Sequence, residues 1–314
     1  MNSNGKKNGL IMIPYAELQN YNSGVNIANQ KNRQTVYLKN CCVALLSARA
    51  CNGDNTDVAL VTNVDLPNEY KTLLESKKIK IFFQDFDRFL FSSDYNWSLA
   101  FYKLCALYNT VRKYDYDYYC YLDSDVYIQS SFNSIWRECD KHILLYDINH
   151  GFQVEHYKHF LNEVNDYTGA DKAITHFGGE FFAANRENSL SFSNKCLEIF
   201  TDMKDRNFIT THGDEFIISV AAEQFSNLIK NAGAYVFRFW TDVFRLVSTC
   251  YVNNPVSVIH VPDEKEYGMI TLFDKYFSKS RPVKAAQIYR ILHLKHRSLK
   301  TVYCYAKSRL LKRR

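Results

Sequence analysis

One apolar run near the middle of the chain contains two acidic residues that such a run does not normally accommodate. Residues 119–128 read Tyr-Cys-Tyr-Leu-Asp-Ser-Asp-Val-Tyr-Ile. The aromatic and aliphatic residues on both sides of the acids predict a strand that is covered on both faces. Two buried carboxylates cost several kcal/mol unless a cation or hydrogen-bond donors compensate them. The run therefore predicts a sheet protein in which Asp123 and Asp125 hold a divalent cation.

An Asp-x-Asp pair that leaves a buried strand suits Mg²⁺ or Mn²⁺. These hard cations take a few carboxylate oxygens and fill their other positions with water and phosphate. A cation held in this way can bridge a diphosphate and absorb the charge of a departing nucleoside diphosphate. The alternative is a turn or a helix cap, because acidic residues are common in both. The pair alone leaves both interpretations open.

The surrounding sequence alternates between strand-like and helix-like segments. The strands are predicted at 10–14, 57–62 and 79–83, and the helices at 36–50, 67–76 and 97–112. Alternation of this kind predicts an α/β fold with a mostly parallel, Rossmann-like sheet and helices on its faces. Open sheets of this class bind ligands beyond the C-terminal ends of their strands, which is where we expect the two acids.

Composition limits the class of protein. With 314 residues, 46% of them hydrophobic, the chain can bury a large core. No run of 18 apolar residues occurs, and the polar residues 1–9 do not lead into a signal peptide, so we expect neither a membrane span nor export by that route. The nine scattered cysteines, without a Cys-x-x-Cys pair, fit reduced thiols in a cytosol.

The positive charge is concentrated near the C-terminus. Residues 275–314 hold thirteen Lys or Arg and no Asp or Glu, whereas the preceding 274 residues hold 26 basic and 33 acidic residues. Within 288–310, basic residues surround one apolar helical face, a pattern typical of a helix on an anionic membrane surface. The alternatives are a helix packed on the main domain and nucleic-acid binding, which nothing beyond charge supports. We predict a disordered lead at 1–9, a catalytic domain at 10–270 and a basic amphipathic tail at 271–314.

Five short segments resemble the nucleotide-sugar glycosyltransferases of the GT-A fold. They are most similar to family 8, which includes glycogenin and the bacterial lipopolysaccharide galactosyltransferases. The segments are Phe101-Tyr102-Lys103-Leu104, Leu122-Asp123-Ser124-Asp125-Val126, Phe177-Gly178-Gly179-Glu180-Phe181, His212-Gly213-Asp214-Glu215 and Val258-Ile259-His260-Val261. The resemblance extends over about residues 10–265 and implies a GT-A-type sheet, a bound metal and a nucleotide-sugar donor.

The resemblance also implies a role for the charged positions that match. Asp123, Asp125 and His260 are expected to hold Mn²⁺ or Mg²⁺, and Asp123 also to contact the donor. Lys103, on the helix before the metal strand, and Lys265, five residues after the histidine, are expected to contact the donor phosphates. The alternative for Lys103 is a solvated lysine beside an apolar helix face, and for His260 a hydrogen-bonded histidine at a strand end.

The remaining expected site residues lie close to the transferred sugar or at the first strand. Gly178 and Gly179 match a segment that approaches the sugar, although the family has asparagine where Gly178 stands; a tight turn is the alternative. Asp214 and Glu215 are expected at the reacting carbon, with Glu215 replacing a glutamine. Glu215 is then a nucleophile, an ion-pair stabiliser or a base, or both acids merely favour a helix N-terminus. Tyr15, at the exit of the first strand, is counted as donor-binding.

The sequence thus predicts a metal-dependent transferase that moves a hexose from a UDP-sugar to a glycan or glycolipid, with retention favoured over inversion. We expect it in bacterial surface polysaccharide or lipopolysaccharide synthesis, on the cytoplasmic face of the plasma membrane. One alternative is a non-catalytic protein that binds membranes or nucleic acid. Another is a haloacid-dehalogenase-like phosphatase, but that class needs a Gly-Asp-x-x-x-Asp, and Gly213-Asp214 is followed by Ile218 at the last position.

Overall fold

The computed structural model describes residues 8–19, 32–54, 56–93, 95–151, 155–241 and 256–294, together with residues 303 and 306. Its strands are β1 Gly9–Tyr15, β2 Thr56–Thr62, β3 Lys80–Phe83, β4 Tyr118–Leu122, β5 Val126–Ile128, β6 Ile143–Asp147, β7 Phe177–Asn185, β8 Ile229–Asn231, β9 Val236–Arg238 and β10 Val258–His260. Seven of them form a sheet in the order β3-β2-β1-β4-β7-β6-β8. Only β7 runs antiparallel to its neighbours, β4 and β6. The mostly parallel sheet of the prediction is therefore present.

Helices cover both faces of this sheet. They are α1 Arg33–Asn52, α2 Asn68–Ser76, α3 Tyr102–Lys113, α4 Ile135–Cys139, α5 Glu155–Thr168, α6 Arg186–Asp205, α7 Asp214–Ala222, α8 Gly268–Lys275 and α9 Ala285–Ile291. Alternate residues of β1 show the two layers, because Leu10 and Met12 pack with α3, α6 and α7, whereas Ile11 and Ile13 pack with α1 and α8. A strand covered on both faces must be apolar throughout, which explains the continuous apolar run in β1.

A second, three-stranded sheet lies beside the first, with β10 between β5 and β9. β10 is antiparallel to β5 and parallel to β9. The single strand predicted over residues 119–128 is therefore wrong: β4 belongs to the large sheet and β5 to the small one. The break falls at Asp123-Ser124-Asp125, because the chain leaves one sheet there and pairs with a strand that comes more than a hundred residues later.

The predicted helix 97–112 is present with a different start. A turn of 3₁₀ helix at Ser98–Phe101 precedes α3, which continues to Lys113. Phe101, Leu104 and Val111 of the predicted apolar face are buried. The helix therefore packs against the sheet with the face that its periodicity indicated.

The beginning of the basic tail packs on the rest of the protein. α8 spans the predicted boundary at residue 270, and Ile288, Leu292 and Leu294 are buried in the same core as α1. Apart from positions 303 and 306, residues 295–314 lie outside the described residues, as do residues 1–7 of the predicted lead. The division into three parts therefore stays a prediction. Among the described helices, none has both the length and the apolar character to cross a bilayer.

Candidate metal and donor site

A cleft of about 320 Å³ opens beyond the C-terminal ends of β1 and β4. Eight of the ten residues that the sequence predicts for the site line it, namely Tyr15, Lys103, Asp123, Asp125, Asp214, Glu215, His260 and Lys265. Gly178 and Gly179, on β7, are not among its lining residues. The cleft therefore gathers residues from both sheets and from helices α1, α3 and α7 at the edge where α/β sheets bind ligands.

Three of these residues form a compact group of metal-ligating side chains. Asp123 directly follows β4, Asp125 directly precedes β5, and His260 ends β10. Their ligand atoms lie within 4.8 Å of one another. The His260 Nε2 atom is 3.2 Å from Asp125 Oδ2 and 3.8 Å from Asp123 Oδ2. The second oxygen of Asp125 is buried without a hydrogen-bond partner among the described residues. Two carboxylates, one of which has an oxygen without a hydrogen-bond partner, and one imidazole form a ligand set that fits a divalent cation.

Protein cations also surround the buried Asp125. The Lys265 Nζ atom lies 2.8 Å from Asp125 Oδ2. Burial by itself raises the pKa of Asp125, but the charges of Lys265 and His260 outweigh it and hold that pKa well below its usual range. Burial lowers the pKa of His260, whereas the carboxylates of Asp125 and Glu180 together raise it to about 9. Asp125 is therefore an anion at neutral pH, as a metal ligand must be, whereas His260 carries a proton that a bound cation would have to displace.

Lys103 connects the Asp-x-Asp segment to the start of α7. Its Nζ atom lies 3.3 Å from Asp123 Oδ1 and 3.0 Å from Asp214 Oδ2. Burial raises the pKa of Asp214 to about 6, since the opposing charge of Lys103 offsets only part of the effect. The Lys103 side chain is only 11% exposed and lies between two carboxylates, so the solvated lysine considered as its alternative does not occur. Whether it contacts a donor stays a prediction.

The glycine pair makes room for charged side chains. A Cβ atom on Gly179 would lie 2.2 Å from Asp214 Oδ2 and 2.8 Å from Lys103 Nζ. On Gly178 it would lie 1.9 Å from Glu180 Oε2 and 2.6 Å from an Arg238 nitrogen. These separations are far below those of real Cβ contacts, so a side chain at either position would displace the charged groups beside it. A contact of either glycine with the sugar stays a prediction.

Arg238 and Glu180 form an ion pair that the sequence reasoning missed. Arg238, at the end of β9, donates from Nε to Glu180 Oε1 at 2.7 Å and from Nη2 to Glu180 Oε2 at 2.6 Å. Glu180, on β7, is fully buried and also lies 3.2 Å from His260 Nδ1. Burial raises the pKa of Glu180, but Arg238 and His260 reverse the effect and lower it to about 2. The pair therefore orients the histidine of the candidate metal group from behind.

The same arginine holds Glu215. Arg238 Nη2 lies 2.7 Å from Glu215 Oε1, and His176 Nε2 lies 3.1 Å from Glu215 Oε2. Burial raises the pKa of Glu215, but the charge of Arg238 and the hydrogen bond with His176 hold it well below its usual range. The Glu215 carboxylate is thus a fixed anion whose two oxygens are both engaged by protein groups.

A sequence signal for this network was present. Glu180 and Arg238 are charged residues inside apolar and aromatic runs, Gly-Gly-Glu-Phe-Phe and Val-Phe-Arg-Phe-Trp. This is the same anomaly that singled out Asp123 and Asp125, because a charge inside a buried strand needs a partner. A search for charged residues inside apolar runs would have singled out both, without showing that they pair.

Aromatic residues form another part of the cleft wall. Tyr15 stacks on Tyr37 with ring centroids 5.8 Å apart, and its hydroxyl donates to Glu17 Oε1 at 2.7 Å. Trp97 and Trp240 also line the cleft. Trp97 packs 3.2 Å from where a Cβ atom of Gly213 would lie, and Gly213 has a φ of 60°, so glycine suits this position before α7 on both counts. Flat apolar surface therefore lies beside the charged groups.

No protein-family model matches the chain, and no curated protein sequence matches it. Among the solved structures with a similar fold is the crystal structure of mouse xyloside xylosyltransferase 1 in its apo form. The TM-score is 0.52 at 12% sequence identity, and the match covers 81% of this chain and 97% of that chain. At this identity the likeness shows the fold alone. The predicted GT-A-type sheet with flanking helices is thereby confirmed, while the assignment to family 8 stays a prediction.

Proposed function

We propose that the protein is a metal-dependent glycosyltransferase that moves a hexose from a UDP-sugar to a glycan or glycolipid acceptor. The convergence of Asp123, Asp125 and His260 in the cleft is the observation that carries this proposal. A GT-A-like fold places that group at the sheet edge where ligands bind. The phosphatase alternative is weakened, since Ile218, where its last acid should be, is fully buried in the core.

The chain's own residues divide the work of donor binding. Asp123, Asp125 and His260 would hold Mn²⁺ or Mg²⁺, and the bound ion would supply Lewis-acid stabilisation of the leaving diphosphate. Lys265 and Lys103, whose Nζ atoms lie 2.8 Å from Asp125 and 3.3 Å from Asp123, exchange part of these contacts for phosphate oxygens. Tyr15, in the cleft wall, contacts the nucleoside with its ring.

Glu215 and Asp214 act on the transferred sugar. Because Arg238 and His176 hold Glu215 as an anion, it is a poor proton acceptor and a good stabiliser of positive charge at the anomeric carbon. Asp214, beside Lys103, contacts a sugar hydroxyl. A fixed anion that takes no proton favours transfer with retention of configuration, as family 8 implies. Proton NMR of the product's anomeric signal tests this directly.

The acceptor belongs to a membrane-bound pathway in this proposal. The thirteen basic residues from Lys275 onward, with no acid among them, bind an anionic membrane surface. In this proposal the enzyme lies on the cytoplasmic face of a bacterial plasma membrane and acts in surface polysaccharide or lipopolysaccharide synthesis. Nucleic acid is not a partner in this proposal.

A thermal-shift panel of UDP, GDP, CMP and TDP, each with and without Mn²⁺, tests the proposal. We expect UDP to stabilise the protein only with Mn²⁺, by about 2.7 kcal/mol when its concentration is 100 times the dissociation constant. Asp125→Asn should remove this shift and all donor hydrolysis, while the exposed control Asp54→Asn keeps both. Stabilisation by no nucleotide favours the non-catalytic binding protein, and a full UDP shift in Asp125→Asn or in excess EDTA contradicts the metal role.

A further inference from the structure

A second group of metal-ligating side chains lies at the rim of the cleft. His159 and Glu163 are on α5, and His212 is in the loop that leads into α7. Their ligand atoms lie within 4.8 Å of one another. His212 also lines the cleft, but none of the three has a role in the proposed transfer reaction. The group therefore needs its own explanation.

The two oxygens of Glu163 each face one imidazole. The Oε1 atom lies 3.5 Å from His159 Nδ1, and the Oε2 atom lies 3.0 Å from His212 Nδ1. His159 and Glu163 are one turn apart, so they share a face of α5. Neighbouring ligands of a tetrahedral ion with bonds of roughly 2.0–2.2 Å are separated by roughly 3.3–3.5 Å. Each imidazole nitrogen therefore lies within a few tenths of an ångström of this separation from the Glu163 oxygen that it faces.

Hydrogen bonds hold the Glu163 carboxylate in place, as they do for carboxylates that bind metals. Thr210 Oγ1 donates to Glu163 Oε2 at 2.5 Å, and the Thr211 backbone N–H donates to both Glu163 oxygens at 3.1 Å. The ring of His212 packs edge-on against Phe160, with centroids 5.4 Å apart, which restricts its rotation. Hydrogen-bonded carboxylates and oriented imidazoles are the outer contacts that ligands of bound metals have.

A simpler explanation is that Glu163 only anchors the loop before α7. The contacts of Glu163 with Thr210, Thr211 and His212 suit that role. His159 does not, because its side chain is 61% exposed and its 3.5 Å separation from Glu163 is too long for a good hydrogen bond. A shared ion accounts for the position of both histidines.

We propose that His159, Glu163 and His212 bind a transition-metal ion of the Zn²⁺ class at a site separate from the candidate Asp123, Asp125 and His260 site. Two imidazoles and one carboxylate suit such an ion, whereas the carboxylate-rich site suits Mg²⁺ or Mn²⁺. The ion ties α5 to the loop before α7 and so holds the helix end that carries Asp214. This inference does not depend on the proposed transferase activity.

Zn²⁺ titration of the full chain by isothermal calorimetry tests the second site, with His159→Ala as the variant. Because His159 is largely exposed, this variant should melt like the wild type in EDTA. We expect one fewer bound Zn²⁺, or binding of that ion weakened at least about tenfold, which is what the loss of an outer partner alone costs. The matched control is His156→Ala, which removes another exposed imidazole from the same helix and should bind like the wild type.

The Asp125→Asn variant separates the two sites. It should lose metal-dependent UDP stabilisation and still bind Zn²⁺, and X-ray absorption of that Zn²⁺ should show two imidazole ligands. Equal Zn²⁺ stoichiometry and affinity in wild type and His159→Ala overturn the second site. Fewer than two imidazoles at the ion retained by Asp125→Asn also overturn it. Neither result bears on the nucleotide panel, so the two proposals fail independently.

Discussion

Replacing Arg238 with methionine tests whether the charge network behind the cleft stabilises the fold. Arg238 makes three bonds of 2.6–2.7 Å to Glu180 and Glu215, and Glu180 is fully buried. The substitution keeps much of the side-chain volume but removes the only cation common to both acids among the described residues. Removing one partner of a buried ion pair leaves an uncompensated charge and costs about 3–5 kcal/mol. We expect a loss of this size in the free energy of unfolding.

The measurement is urea unfolding of Arg238→Met, Glu180→Gln and the double variant. Because both single changes disrupt one pair, the double variant should lose less than the sum of the two, with a coupling of about 0.5–3 kcal/mol. Lys230→Met is the control, since Lys230 lies 2.6 Å from Glu138 in an exposed pair. We expect no measurable change there, because exposed pairs contribute little. A loss in Arg238→Met no larger than in Lys230→Met refutes the reasoning.

Two further predictions follow from the packing around the site. Gly179→Ala should lower the free energy of unfolding in urea by about 1–3 kcal/mol and weaken UDP–Mn²⁺ binding, because its Cβ atom forces apart Lys103 and Asp214. Unchanged stability and binding would contradict the close packing. Residues 295–314 hold eight of the thirteen basic residues of the tail, and their deletion should abolish binding to anionic liposomes. UDP–Mn²⁺ binding should stay intact, since the buried Leu292 and Leu294 remain. Liposome binding by the shortened chain would mean that the membrane contact lies elsewhere.

The layered fold was accessible from sequence because its signals are local. Short apolar runs and a period of 3.6 residues are read within one segment, and β1, β2 and α3 form close to where these patterns place them. Lys103 and His260 were identified differently, because the motifs around them resemble those of a known family. Because an α/β sheet brings its strand ends together at one edge, residues that follow different strands can be predicted to share one site.

The rest depends on pairing between distant segments. The break at Ser124 exists because β5 pairs with β10, and no periodicity near residue 124 encodes a partner that far along the chain. The antiparallel β7 places Glu180 behind His260, and β9 brings Arg238 to it. The charges of Glu180 and Arg238 compensate each other only once both strands are in place. Local sequence therefore indicated that charges were buried and left open which charge compensates which.

The position of Ser124 at the seam between the two sheets bears on how substitutions here are interpreted. On one side, the Asp123 N–H donates to the Glu180 carbonyl at 3.0 Å; on the other, the Val261 N–H donates to the Asp125 carbonyl at 3.0 Å. The main chain of each acid is thus fixed by a different sheet, independently of any side chain. An amide in place of either carboxylate leaves these main-chain hydrogen bonds intact, so such variants report the loss of charge, including its cost in stability, rather than misplacement. Inserting one residue next to Ser124 would instead change the position of one acid relative to the other and leave the charge of both unchanged.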